Sequence, residues 1–271
     1  MHTIIQPQFE SILSHLSKDG VLYGLTNQAL SALSKGADDK LENLLNSYCR
    51  SFSIIEWNTD MQKLIDETTL FYLSCSKLSS LFIRIECNGN IFRENGAIFS
   101  QHWDHFITSL LDCSSLQSNI IFCFDHSTHY SEDLLEAFHQ LREQIYPIKL
   151  LFECENHSWK TPNALKLFRG KKTNIVQRDM PDLAGFNFHI ANFDKRNCYL
   201  RLLGRNKVNW FSTDKKLRYQ YDYSKDELIQ LASKINSFHL SYEKIFVIAS
   251  NAPATNALSN ILQLSKLHPS D

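Results

Sequence analysis

Glu153 stands at the end of the apolar run Ile148, Leu150, Leu151 and Phe152, just before the polar loop that leads to Trp159. A carboxylate placed where a buried strand stops is a candidate for chemistry, because the carboxyl ends of the strands carry the site in a parallel barrel. The placement recurs along the chain with Glu56 and Asn58 after Ile54 and Ile55, Asp125 after 119–124, Asp179 after 173–178, Arg201 within 197–204, and Asn251 after 243–250. Several carboxylates around one guanidinium can hold a divalent cation or orient a sugar or phosphate. They can also divide into general acid and base if their surroundings push their pKa values apart. On this reading Glu153 is a base or metal ligand, Glu56 and Asp179 are supporting carboxylates, and Arg201 meets an anion or a transition state. Asn58 and Asn251 orient the ligand, with Ser158, Trp159 and Tyr221 as further contacts. The competing reading is structural, with Arg201 paired to Glu56 or Glu153 to neutralise charge at the strand ends.

Other chemistry-bearing residues carry weaker signals. His102 and His105 share a helical face, and His126, His129 and His157 fall in loops, but no spacing gives a clear metal set. A divalent metal therefore stays open as a cofactor without a ligand set to support it. Trp57, Trp159, Trp210, Tyr219, Tyr221 and Tyr223 fall in or near loops at the strand ends, where aromatic rings either stack on a ligand or close over the mouth. No GxGxxG, GxxxxGK[ST], HExxH or GxSxG occurs, so dinucleotide, P-loop, zincin and serine-hydrolase readings lack their motifs.

Residues placed this way need a scaffold of parallel strands. The expected strands are 21–26, 52–57, 70–76, 119–125, 148–153, 173–179, 197–204 and 243–251, mostly separated by helices. Helix signals include a capping box starting at Asp39, Ser131 ahead of two acidic residues, Thr161 followed by Pro162, and the Ser224/Glu227 capping box. Further helices are expected over 9–16, 60–66, 98–111 and 253–264. Asn88-Gly89 between apolar runs is a hairpin signal, so 81–96 is read as an excursion on the loop side. Eight such strands are the count and order of a (β/α)8 TIM barrel of the α/β class, in one domain over 1–271.

Composition agrees with that scaffold. The chain has 271 residues, 43% hydrophobic and 21% charged, which is ordinary for a globular protein. With 28 basic against 29 acidic residues it lacks the basic field that non-specific nucleic-acid binding requires. The seven cysteines include no CxxC pair and several lie in apolar runs, as expected of reduced, buried thiols. No secretory leader or membrane-length apolar run is visible, so the expected location is cytoplasmic.

Several quoted segments together resemble a known family. Ile55-Glu56-Trp57-Asn58 is similar to a VExN strand, Glu153 to Trp159 to an E-F-R-H-P-S-W pattern, and Asp179-Met180-Pro181 to a later aspartate with proline. Tyr199 to Asn206, Trp210 and Arg218 to Ser224 resemble a YxRxHGRN...W...RYxYxYS run, and Ser250-Asn251 with Ala257 to Asn260 resembles an NN...A..N ending. These resemble the YecE-like family of TIM barrels, the domain of unknown function numbered 72, with this chain a divergent member. The resemblance implies a closed parallel barrel with a polar pocket at its top. Departures fall at Glu155 for Arg, Leu203 for His, Ser250 for Asn, and 60–62. They reverse one charge and remove one titrating group.

The expected function is binding of, or action on, a small polar or phosphorylated ligand at the carboxyl face of the barrel. The alternatives are a catalytically degenerate binding or interaction protein and, on weaker grounds, a metal-dependent nucleic-acid hydrolase.

Overall fold

The computed structural model describes residues 17–18, 20–33, 40–87, 89–92, 98, 102–113, 115–183 and 196–267. A two-residue strand β1 (Ser17–Lys18) runs antiparallel to β2 (Val21–Thr26). From β2 onward eight strands are parallel: β3 (Ile54–Asp60), β4 (Ser80–Cys87), β5 (Gln117–Phe124), β6 (Lys149–Cys154), β7 (Gln177–Asp179), β8 (Asn197–Leu202) and β9 (Lys244–Ala249). They neighbour one another in chain order and β9 returns to pair with β2. The remaining seam, between β6 and β7, closes at a single bridge. There Phe152 N donates to Asn174 O at 2.7 Å and Val176 N donates to Phe152 O at 3.0 Å.

Helices cover the outside: α1 (Asn27–Leu33), α2 (Leu41–Tyr48), α3 (Glu67–Cys75), α4 (Trp103–Asp112), α5 (Glu132–Gln144), α6 (Pro162–Gly170), the short α7 (Lys215–Arg218), α8 (Lys225–Phe238) and α9 (Ala254–Lys266). The chain is therefore a (β/α)8 barrel. Ser131 Oγ accepts from Leu134 N at 3.1 Å, Thr161 Oγ1 accepts from Ala164 N at 3.4 Å, and Ser224 with Glu227 forms the full capping box. Lys40, rather than Asp39, occupies the cap position of α2 and gives no side-chain cap. The helix expected over 9–16 lies outside the described residues.

Three expectations are corrected. The run 70–76, read as a strand, lies in α3. Asp66 caps that helix by accepting from Thr69 N at 2.9 Å, and Leu70 and Leu73 bury its inner face. The third barrel strand is β4, which occupies most of the segment read as an excursion over 81–96. The helix expected over 60–66 is likewise absent, since β3 extends to Asp60 and a turn follows.

Alternation along the strands sorts side chains into two layers. Leu25, Ile55, Ile83, Phe122, Phe152, Leu200 and Val247 pack outward against the helices. Ile54, Phe82, Ile121, Leu151, Val176, Tyr199, Phe246 and Ile248 form a separate cluster that fills the barrel interior. Gly24 lies between two of these strands, where an added Cβ would fall under 3.0 Å from atoms of both Ile54 and Ile248. One step of two residues above the interior cluster brings Glu56, Arg84, Cys123, Glu153, Arg178 and Arg201 to the same inner phase. The interior thus changes from apolar to ionic on climbing toward the carboxyl ends.

Candidate functional site

The ionic layer is a network of salt bridges in which Arg84, Arg178 and Arg201 share Glu56 and Glu153. Arg201 on β8 reaches both acids, with Nη1 donating to Glu153 Oε1 at 2.9 Å and Nη2 donating to Glu56 Oε1 at 3.0 Å. On the other side, Arg84 Nε on β4 donates to Glu153 Oε2 at 2.7 Å. Tyr199, one step below Arg201 on the same strand, gives its hydroxyl proton to Glu56 Oε2 at 2.7 Å. Arg178 on β7 places Nη1 4.0 Å from Glu153 and donates Nη2 to Cys154 O at 2.8 Å. Glu56 and Glu153 are 0% and 1% exposed, so each charge is compensated by neighbours rather than by water.

These neighbours decide the protonation state. Burial alone would raise the Glu153 carboxyl, but Arg201, Arg84 and Arg178 together outweigh it and hold Glu153 far below the ordinary carboxylate range. The Tyr199 hydroxyl is pushed well up by burial and by Glu56, so it stays a proton donor. Glu153 is thus a fixed anion that positions two guanidiniums. A general base needs a pKa near the working pH, which this carboxylate lacks.

A cavity of about 660 Å³ opens above this layer. Its lining includes Asn58, Arg84, Glu86, Arg201, Lys215, Tyr219, Ser250 and Asn251. Glu86 sits one step above Arg84 on β4, accepting from Arg84 Nη1 at 2.9 Å and from Lys215 Nζ at 2.6 and 2.7 Å. Lys215 opens α7 on the connection from β8 to α8, which crosses the mouth. The base of that connection is fixed where Tyr221 N donates to Ala252 O at 2.9 Å and Ala252 N donates to Tyr219 O at 2.7 Å. Asn206 Nδ2 adds bonds to Leu217 O and Gln220 O at 3.1 and 3.0 Å. Two more elements meet the rim: Asn58 Nδ2 donates to Gln28 Oε1 at 2.9 Å, and α9 begins at Pro253 without a side-chain cap.

Of the residues singled out from the sequence, Arg201, Asn58, Tyr219 and Asn251 line this cavity, with Glu56 and Glu153 beneath it. Asn251 Nδ2 donates to Tyr221 O and Asn260 Oδ1 at 2.8 and 2.9 Å. Asp179 does not join them, because it has the opposite strand phase from Arg178 and faces the outer layer. There it takes a two-point contact from Arg205 at 2.8 Å on each oxygen and the Tyr223 hydroxyl at 2.9 Å. Tyr221 belongs to the same outer cluster, giving its hydroxyl proton to Glu227 at 2.6 Å. Asp125 is spent on Ser127 and Thr128 in its own turn.

Ser158 and Trp159 are structural. Ser158 Oγ accepts from Tyr130 N at 2.7 Å, and Trp159, at 0% exposure, donates Nε1 to Thr128 O at 2.9 Å among the rings of Tyr130, Phe152 and Phe168. A ring without accessible surface cannot stack on a ligand.

Sequence reasoning missed Arg84, Glu86 and Lys215. The signal for the first two is the alternation Phe82, Arg84, Glu86 against Leu81, Ile83, Ile85. Among the described residues no group of three or more His, Cys, Asp or Glu side chains is placed to hold a metal ion. Glu56 and Glu153 are moreover engaged by guanidinium, which opposes a cation beside them. His126, His129 and His157 are all exposed. No helix among the described residues is long and apolar enough to cross a membrane.

Comparison with solved structures finds the same barrel. A DUF72 family protein (TM1631) from Thermotoga maritima superposes with a TM-score of 0.72 at 21% identity, covering 91% of this chain and 98% of that one. A DUF72 family protein (EF0366) from Enterococcus faecalis V583 gives a TM-score of 0.73 at 18% identity, covering 91% and 94%. At these identities the likeness shows the fold. A comparison with curated proteins finds no match. The family model described as "Protein of unknown function DUF72" matches residues 31–270, nearly the whole barrel. The chain therefore belongs to the DUF72 family.

Proposed function

We propose that this protein binds a small phosphorylated or otherwise anionic polar molecule in the cavity at the carboxyl ends of the strands. The observation that carries the reading is the pair of buried guanidiniums, Arg84 and Arg201, in the lining of a cavity also bordered by Lys215 and Lys216. A guanidinium has five N–H donors in a fixed fork. Glu153, Glu86 and Cys123 engage one nitrogen each of Arg84, leaving further protons for a ligand oxygen. Tyr219 adds a phenol to the lining. Burial raises its pKa against the pull of Arg84 and Arg201, so it is a donor at neutral pH. Barrel enzymes often hold phosphate at the loops after their seventh and eighth strands, and here Lys215, Ser250 and Ala254 come from those two loops.

The geometry favours capture over acid–base turnover at Glu153, whose proton affinity is too low for a base. Glu56 and Glu153 of the inner layer, with Glu86 above them, offset the three guanidiniums of Arg84, Arg178 and Arg201, which suits a ligand of low charge better than a polyphosphate.

Thermal unfolding with inorganic phosphate, phosphate monoesters and neutral sugars tests the proposal. A monoester present at about 100 times its Kd adds about 2.7 kcal/mol and raises Tm by several degrees. That shift is expected to shrink in Lys215→Met. A panel in which no anion moves Tm would overturn the reading.

A further inference from the structure

Resting on the pocket proposed above, we infer that the Glu86 carboxylate is the built-in occupant of its anion seat, and that a ligand oxyanion binds by taking over the hydrogen bonds of Arg84 and Lys215 from Glu86. Three carboxylates pair with Arg84 and Arg201, the arginines of the cavity lining. Glu56 and Glu153 are buried, held by two or more partners, and have no room to leave. The Glu86 side chain is 44% exposed and lies at the cavity wall, where it can rotate toward solvent. Its partners are the groups an incoming anion would use: Arg84 Nη1 at 2.9 Å and Lys215 Nζ at 2.6 Å to one oxygen and 2.7 Å to the other.

The exchange is energetically cheap. Lys215 is 58% exposed, and an ion pair between such groups contributes little because water and salt screen it. Arg84 by contrast stays anchored through Nε to Glu153, so its fork is already oriented when Glu86 leaves. The same exchange couples the ligand to the connection over the mouth. Lys215 lies 129 residues from Glu86 in sequence and ties that connection to the β4 wall. With Glu86 displaced, Lys215 closes onto the ligand instead, and the connection is held through it. The ligand class is an oxyanion, either a carboxylate or a phosphate monoester, and the two are separated by the probes.

The test is calorimetric titration of the full chain with inorganic phosphate, phenyl phosphate and benzoate, using wild type, Glu86→Gln, Lys215→Met and the double variant. Glu86→Gln keeps the shape and removes the competing charge, so the preferred anion is expected to bind about tenfold more tightly. Lys215→Met is expected to weaken binding, and in the double variant most of the gain from Glu86→Gln should be lost. If wild type binds an anion while Glu86→Gln binds it equally or more weakly, the inference falls and the pocket stands. Tighter binding by Lys215→Met alone would also overturn it, since Lys215 would then serve only Glu86. No binding by wild type or Glu86→Gln would overturn the pocket itself.

Discussion

Glu153 joins Arg84 and Arg201 across the barrel, taking one guanidinium on each carboxylate oxygen at 2.7 and 2.9 Å. The two arginines come from strands on different sides of the mouth, and only a shared anion between them makes their approach tolerable. Glu153 is therefore the residue on which the geometry of the cavity floor depends, although it is not a lining residue.

Replacing Glu153 should accordingly cost stability before it costs anything else. Glu153→Gln leaves two buried guanidiniums without their common counter-ion, a change expected to destabilise by about 3–5 kcal/mol. Chemical denaturation reads it directly. The pH dependence follows from the sign of the shift: the folded carboxyl lies below its ordinary value of 4.5, so its contribution is complete above that value and is lost as pH falls below it. Glu153→Gln should flatten the acid limb of the stability curve, and an unchanged slope below pH 4.5 would contradict the ion-pair account.

Trp159 tests the separation between mouth and core. The ring is buried among Phe152, Phe168 and Tyr130. Trp159→Phe loses the bond to Thr128 O together with ring volume and should destabilise by about 1–3 kcal/mol. Anion affinity in the folded protein is expected to be unchanged. A loss of affinity with stability intact would return Trp159 to the site.

Most of the barrel is legible in the sequence because strands buried on both faces are unbroken apolar runs and their helices carry strong caps. The exception is instructive. The segment 70–76 is as apolar as a strand, and its helical character lies in Asp66 with Thr69 at the cap rather than in the run itself. With 70–76 taken as the third strand, the Asn88-Gly89 hairpin signal turns 81–86, and Arg84 with it, into an excursion instead of a barrel strand. At the site, strand ends predicted which residues are polar but not which way they face. Asp179 and Arg178 differ by one position and lie in different layers. Of the departures at Glu155, Leu203 and Ser250, Ser250 stands in the cavity lining and Glu155 lies 3.9 Å from Arg178.

Tyr219 gives the sharpest test of the cavity from the protein side. Its hydroxyl makes no hydrogen bond within the described residues, while the ring packs on Trp210 with centroids 6.0 Å apart. Tyr219→Phe should keep stability within about 0.5 kcal/mol. If the phenol donates to a bound oxyanion, affinity should fall by about fivefold, the worth of about 1 kcal/mol for one such bond. Equal affinity in both proteins would remove Tyr219 from the ligand's contacts.

His139 sets a second, independent acid limit on the fold. It is buried on α5, with Nε2 3.0 Å from Thr173 Oγ1 and Nδ1 without a partner among the described residues. Burial first, then the charges of Arg142 and Lys171, lower its pKa from 6.5 to about 4. A histidine kept neutral in the fold contributes stability that is fully present above 6.5 and declines as pH falls toward 4, because the unfolded chain takes up the proton first. The loss over that interval is about 3 kcal/mol. His139→Gln keeps a hydrogen-bonding group near Thr173 and cannot be protonated there, so denaturation curves between pH 7 and 4 should lose that much less stability than wild type. Parallel curves for the two proteins would show that His139 is protonated in the fold at no cost.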